Sequence, residues 1–310
     1  MSNLNCLATE AQASLKPTCL DGVPSDLEYS LCAYGCRIIQ QAGILLRLPQ
    51  RAMSTAQVLF QRFWFVSSMK QFDELDIAMG SILLASKIQE VPARIRDVHL
   101  VFDFLEQYER YKARHASDGP TSPRGPKKTK EPPNFHYKPF ASHGNIYYDA
   151  KDALVIAEMQ LLKRLGFDVQ VNLPHAIMIN YMQVLGVVEK EIDALGTRKK
   201  VAQLAWNYLN DALQSPVYCL FPPHVIACAS IYLLTVDSVH FHEPLALPMQ
   251  PAPWWTLFDV DRDELRVVSS HILQLYEANP MPSALARLNR KQALIDLTTR
   301  SGIRAWLQQT

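Results

Sequence analysis

The run Leu83-Leu84-Ala85-Ser86-Lys87-Ile88-Gln89-Glu90-Val91-Pro92 decides how the rest of the chain is read. Upstream of it, Ile77, Ile82 and Leu84 recur at helical spacing, and Asp73, Glu74 and Asp76 supply the negative first turn that a helix N-terminus favours. Downstream, Pro92 pushes Val91 out of the helical region, so the helix stops there. Lys87 falls near the end of this apolar helix, on the side expected to be buried. An unpartnered buried ammonium is costly, so the position predicts either a carboxylate close by or a role at a surface groove.

Outward from this helix, Leu27, Leu31, Tyr34, Ile38, Ile39 and Leu45 give an earlier helix its apolar face. Pro49 opens a second, in which Met53, Ala56, Val58, Leu59, Phe60, Phe63 and Phe65 are too dense for a solvated face, so it is expected at the centre of a bundle. A fourth helix is expected at about 95–105. From 108 to 148 the helical pattern fails, because prolines from Pro120 to Pro139 interrupt a run rich in lysine and arginine. This predicts a long basic loop. A fifth helix follows at about 149–165, closed by Gly166, where a left-handed residue is least strained.

A second set of helices is read at 173–185, 198–213, 222–234, 254–258 and 262–277. The two halves share a layout: an aromatic-rich helix over 57–65 and then an Ile, Ala, Ser and Leu helix over 75–86 match 203–213 and 223–234. Small residues at Ala78, Gly80, Ser81 and Ala85, and again at Ala227, Cys228, Ala229 and Ser230, let neighbouring helices approach closely. Strand-like alternation is scarce. The expected fold is all-α: an N-terminal tail over 1–24, tandem five-helix domains over 25–170 and 171–280, and a C-terminal helical tail over 281–310.

Composition narrows the function. With 310 residues, 48% of them hydrophobic, the chain can bury two cores of ordinary size. A net charge of +1 argues against a phosphate-tracking surface, so direct sequence-specific nucleic-acid binding is not expected. The six cysteines form no CxxC pair and read as reduced thiols of the cytosol or nucleus. No apolar stretch approaches the roughly 18 residues that span a bilayer, and the start has no charged region followed by an apolar run, so no membrane association is expected. The 11 glycines are scattered singly, giving no phosphate loop, and no Ser, His and Asp arrangement stands out. His240, His242 and Glu243 lie beside prolines without further ligands in register, so neither a metal nor any other cofactor is expected. Trp254 and Trp255 read as a packing pair in a short helix.

Leu154, Glu158, Leu161 and Leu165 share one face of the fifth helix, so Glu158 interrupts an apolar stripe as Lys87 does. Two opposite charges, each misplaced by the amphipathic rule, are natural partners across a helix pair. Spacing alone leaves two readings: an internal salt bridge near the surface, or a charged pair at the rim of a groove, set to hydrogen-bond a partner's backbone.

The segments 83–90 (LLASKIQE) and 157–169 (AEMQLLKRLGFDV), within two five-helix halves, resemble the cyclin box. The runs 42–49 (AGILLRLP), 58–63 (VLFQRF), 93–98 (ARIRDV), 173–175 (LPH) and 205–211 (AWNYLND) resemble the cyclin L branch of the transcriptional cyclins, and the likeness covers roughly 26–277. The resemblance implies an activating subunit without an active site of its own, which docks through its first domain on a cyclin-dependent serine/threonine kinase and holds the kinase αC helix inward. It implies Lys87 and Glu158 as a kinase-contacting pair, with Glu90 retaining one of the acidic positions of the motif. Leu84, Ile88 and Leu154 are expected to supply apolar contact. Gln89 stands where many cyclins have a glutamate. The segment before the second helix lacks the methionine, arginine, leucine and tryptophan patch that recruits short substrate motifs in cell-cycle cyclins.

A nuclear protein working in transcription and pre-mRNA splicing control is therefore expected, with splicing or transcription factors as possible further partners. Lys127, Lys128 and Lys130 read as a solvated loop or a nuclear-localisation or RNA-tethering patch. Ser122, before Pro123 and Arg124, suits a proline-directed kinase as a phosphosite. Two rivals stay open: a DNA-binding core like that of the IIB-type general transcription factors, which use the same paired repeats, and a splicing scaffold that binds no kinase.

Overall fold

The computed structural model describes residues 5–116, 135–139, 145–194, 196–236, 241–276 and 294–309. Short helices α1 (Glu10–Ser14) and α2 (Pro17–Leu20) precede α3 (Ser25–Leu45), α4 (Gln50–Val66), α5 (Glu74–Ile88), α6 (Ile95–Ala116) and α7 (Asn145–Arg164). Beyond them come α8 (His175–Val184), a hairpin of β1 (Glu191–Ala194) and β2 (Thr197–Lys200), α9 (Val201–Ala212), α10 (Val217–Leu220) and α11 (Pro223–Val236). A 3-10 turn (Trp254–Phe258), α12 (Arg262–Leu273) and α13 (Arg300–Gln309) complete the chain.

Two helical bundles result, each built round one helix, the second with the hairpin beside it. α5 is covered by α3, α4, α6 and α7, and α11 by α8, α9 and α12. The central helices carry matching segments, Ile77-Ala78-Met79-Gly80-Ser81-Ile82 and Ile226-Ala227-Cys228-Ala229-Ser230-Ile231. Both serines are fully buried, and each hydroxyl donates to a carbonyl of its own helix at 2.7 Å, from Ser81 to Ile77 and from Ser230 to Ala227. A small side chain can thus lie in the core without an unmet polar group. α4 is buried on every side from Ala52 to Phe65, as its composition predicts, because it also joins the bundles. Its Val58 belongs to the second core, and Gln61 donates to the carbonyl oxygen of Leu213 at 2.7 Å.

Several elements depart from the reading of the sequence. α6 continues to Ala116, into the segment expected to be loop. The extension is held by Ala113, which is fully buried, and by the ion pairs Glu106–Arg110 and Glu109–Lys112 at 2.9 and 2.8 Å. Residues 135–139, also expected to be loop, lie on this helix: Phe135 packs edge-on against Phe104, and the Tyr137 hydroxyl donates to Asp103 at 2.8 Å. The hairpin replaces the expected first turn of the helix at 198, with Ile192 and Ala194 on its buried face and Gly196 turning at φ +76°.

The segments read as tails are packed. Asn5 exchanges two hydrogen bonds with the backbone of Asn172, at 2.9 and 2.7 Å, and Lys16 pairs with Glu28 at 3.3 Å. At the other end, Ile295, Leu297 and Ile303 enter the core of the first bundle. Asp73, read as part of a negative first turn for α5, instead accepts from the backbone N–H of Arg300 at 2.9 Å. Glu74 is buried beneath this contact, and desolvation holds its carboxyl well above the usual range. Desolvation likewise pushes Asp76 up to about 6. The first turn of α5 is therefore less negative than its residue types imply.

Trp254 and Trp255 form a buried edge-to-face pair in the 3-10 turn, at 5.7 Å between ring centroids. No helix among the described residues is long and apolar enough to cross a membrane. Among the described residues no group of three or more His, Cys, Asp or Glu could hold a metal ion; His240 lies outside them.

Candidate functional site

The site begins with a missing side chain. A Cβ at Gly80 would sit 3.1 Å from the backbone N of Glu158 and 3.2 Å from the carbonyl carbon of Ala157, so glycine lets the α7 backbone rest directly on α5. That close crossing, with Leu154 and Leu161 fully buried beneath it, fixes the height of α7 along α5. Two turns further along α5, Lys87 Nζ meets both carboxylate oxygens of Glu158, at 2.6 and 2.8 Å.

The pair is asymmetric. The Lys87 side chain is 51% exposed and that of Glu158 12%. Lys87 is therefore not on the buried side of its helix, as its position in the apolar pattern suggests; its stem lies at the edge and its ammonium in solvent. An ion pair this open is worth about 0–1 kcal/mol to the fold. Two of the three ammonium donors are used, which leaves a third for another acceptor.

The end of α5 is held in one shape. Glu90 adopts φ +58°, its N–H bonds the carbonyl of Lys87 at 3.1 Å, and the N–H of Val91 bonds that of Ser86 at 2.8 Å. This is the double hydrogen bond of a helix stop in which glycine usually holds the left-handed position, so a glutamate there carries backbone strain. The buried Ser86 hydroxyl accepts from the N–H of Ala93 at 3.1 Å, and Gln89 donates to Thr55 at 3.2 Å. Lys87, Ile88 and Glu90 thus stand on a rigid corner, with Glu90 exposed and Ile88 half-buried.

Burial corrects two of the expected contact residues. Leu154 is 0% exposed and Leu84 is buried, so they hold α5 and α7 together and offer no surface to a partner. The accessible apolar residues of α7 are its neighbours Tyr148, Val155, Ile156 and Met159, Ile156 being 53% exposed. Their spacing puts them on one face, beside the stripe that carries Glu158. The signal for them was in the sequence: the stretch Ala153-Leu154-Val155-Ile156-Ala157-Glu158-Met159 is apolar nearly all round, which a helix with one solvated face does not need. Val91, beyond the end of α5, is also exposed. Ser122, Lys127, Lys128 and Lys130 lie outside the described residues.

Two bundles, each built round a small-residue central helix, with the Lys87–Glu158 pair on the first, make up the tandem cyclin-box class of protein. Solved structures share this fold: a chain of the yeast RNA polymerase II CTD kinase CTDK-1 complex superposes with a TM-score of 0.56 at 15% identity, covering 88% of this chain and 73% of that one. A chain of the Chaetomium thermophilum CAK complex bound to ATP-gamma-S gives 0.51 at 11% identity, over 93% and 78%. No family model matches the chain.

Sequence relatives carry the assignment further. Cyclin-L1 of Danio rerio is 36% identical over 273 residues, 88% of this chain and 47% of its own length. Cyclin-L2 of Homo sapiens is also 36% identical, over 88% and 45%, and a cyclin L homologue of Caenorhabditis elegans is 32% identical over 91% and 56%. The chain belongs to the cyclin family, on the cyclin L branch. It spans about half the length of the relatives it matches.

Proposed function

We propose that the chain is the regulatory subunit of a cyclin-dependent serine/threonine kinase, and that α7 and the end of α5 are its kinase-binding surface. The observation that carries this is the exposed apolar face of α7 beside a charged pair of little structural value. Val155, Ile156 and Met159 supply the area to be desolvated, while Lys87, Glu158 and Glu90 fix register through hydrogen bonds to the partner. The relatives being cyclin L proteins, and two structural neighbours being chains of kinase complexes, support the same reading.

In this role the chain contributes no catalytic group. It binds one conformation of the kinase αC helix better than the other, so the inward state gains population by the difference in affinity. That state pairs the catalytic lysine and glutamate of the kinase, on which phosphoryl transfer depends. The cellular setting we propose is the nucleus, with transcription and pre-mRNA splicing as the processes served. Purification of the tagged chain from its native cell tests this: a kinase in stoichiometric amount is expected, whereas splicing proteins without any kinase would establish the scaffold reading.

A further inference from the structure

A cleft of about 850 Å³ lies between the two bundles, walled by α4, α8, α9, α11 and the link 171–173 that joins the bundles. Its described lining includes no residue of α5 or α7, so it is separate from the kinase-binding surface. One edge of the link is taken. Asn5 Oδ1 accepts from the N–H of Asn172 at 2.7 Å, and Asn5 Nδ2 donates to the carbonyl of the same residue at 2.9 Å. A single carboxamide reaches both groups only where the backbone is extended, because an extended residue points its N–H and C=O the same way. Arg62 holds the carbonyl of Gln170, two residues back on that same edge, at 2.8 Å. Val171 and Leu173 therefore present their backbone groups on the opposite edge, and among the described residues none of these groups has a hydrogen-bond partner. Val171 and Leu173 line the cleft whereas Asn5 and Arg62 do not, so the open edge is the one on the cleft.

The wall is apolar with a positive rim. Val171, Leu173, Ile177 and Trp206 are half-buried and leave apolar surface to the cleft. Trp206 is braced by the His175 ring at 4.6 Å between centroids, and His175 Nε2 lies 3.1 Å from Asn210 Oδ1. Gln50 of α4 donates to that same oxygen at 3.1 Å, which fastens the bundles together beside the cleft and sets its width. Arg51 stands exposed on the first turn of α4, and the described lining holds no aspartate or glutamate to offset it. First-turn residues of α4, α8 and α11 all line the cleft, and none of these helices has an acidic residue in that turn. Three positive helix ends thus add to the charge of Arg51.

We propose that the cleft receives an extended, acidic segment of a partner protein, which adds as a strand to the open edge at Val171 and Leu173. Its apolar side chains pack against Trp206 and Ile177, and its carboxylates face Arg51 and the helix ends. Main-chain hydrogen bonds hold such a segment, while the apolar wall and the positive rim choose its sequence. A nucleic-acid strand fits less well, because the described lining offers one arginine and no lysine to neutralise a run of phosphates.

The test is a random heptapeptide library displayed on phage and panned against the full chain, the selected peptides then being synthesised and their affinities read by fluorescence anisotropy. Enrichment of Asp and Glu beside apolar residues is expected. Arg51→Glu, an exposed change that should leave the melting temperature within about a degree, should weaken the selected peptides at least tenfold. Trp206→Ala should do the same, and Arg51→Glu carries the test alone if Trp206→Ala fails to fold. Methylating the peptide backbone nitrogens one at a time reads strand addition directly: a loss of at least tenfold is expected at a position whose two neighbours tolerate the methyl. Selection of no peptide, or of peptides without acidic enrichment, would overturn the proposal. So would unchanged affinity for Arg51→Glu, or indifference to methylation at every position. A single-stranded RNA 10-mer that bound more tightly than every selected peptide, and lost its affinity in Arg51→Glu, would overturn it in favour of a nucleic-acid site.

Discussion

The central helices α5 and α11 are two versions of one element. Both run Ile-Ala-x-small-Ser-Ile through the middle of a bundle, both bury a serine bonded to its own helix, and both are crossed by the last helix of their bundle. In register with Ile77 and Ile226, Lys87 corresponds to Val236, which is 54% exposed. The shared residues build the fold. The unshared ones, Lys87 with its partner Glu158, mark the bundle that carries the candidate site.

The largest effect is expected on the exposed face of α7. Ile156→Asp should leave the melting temperature within a degree or two, being a surface change, yet weaken kinase binding by about 2 kcal/mol or more, roughly thirtyfold, as read by calorimetry. The corresponding change at exposed Val267 on α12 should alter kinase affinity by less than twofold. Gly80→Val comes next. It places methyls against the α7 backbone and should destabilise the first bundle by about 1–3 kcal/mol in denaturant unfolding.

Glu90→Gly separates fold from function at one residue. It relieves a strained left-handed glutamate and should stabilise the chain by about 1 kcal/mol while lowering kinase affinity. A pH-dependent effect is expected at Asp76. Its folded carboxyl titrates near 6 against an ordinary value of 3.8, so the folded state holds the extra proton. The resulting stability is complete below about pH 3.8 and is lost as pH rises through 6. Asp76→Asn should therefore flatten the pH dependence of unfolding between 4 and 6, measured as the difference from wild type.

Much of this was legible in the sequence. The α5 stretch, its stop at Val91, the stacking of Glu158 with Leu154 and Leu161, and the doubled layout all follow from period and local chemistry. What period could not supply was which way the border residues face. Lys87 sits where the apolar pattern predicts burial, but its long stem carries the charge out to water. Leu154 looks like a contact residue by proximity to Glu158 and proves to be core, while the neighbouring Val155, Ile156 and Met159 are the exposed ones. The reach of α6 was readable from the spacing of Glu106 with Arg110 and Glu109 with Lys112, and proline density further on obscured it. The docking of the two end segments depends on partners more than a hundred residues away, such as Asn172 for Asn5 and Asp73 for Arg300, which no local pattern encodes.

The assignment of Lys87 and Glu158 to a partner more than to the fold is decided by the paired variant Lys87→Ala, Glu158→Ala. Unfolding free energy and kinase affinity are measured on the same preparation. A stability change within about 1 kcal/mol is expected, together with at least a tenfold loss of kinase affinity. A chain destabilised by clearly more than that, yet binding its kinase as tightly as before, would contradict it.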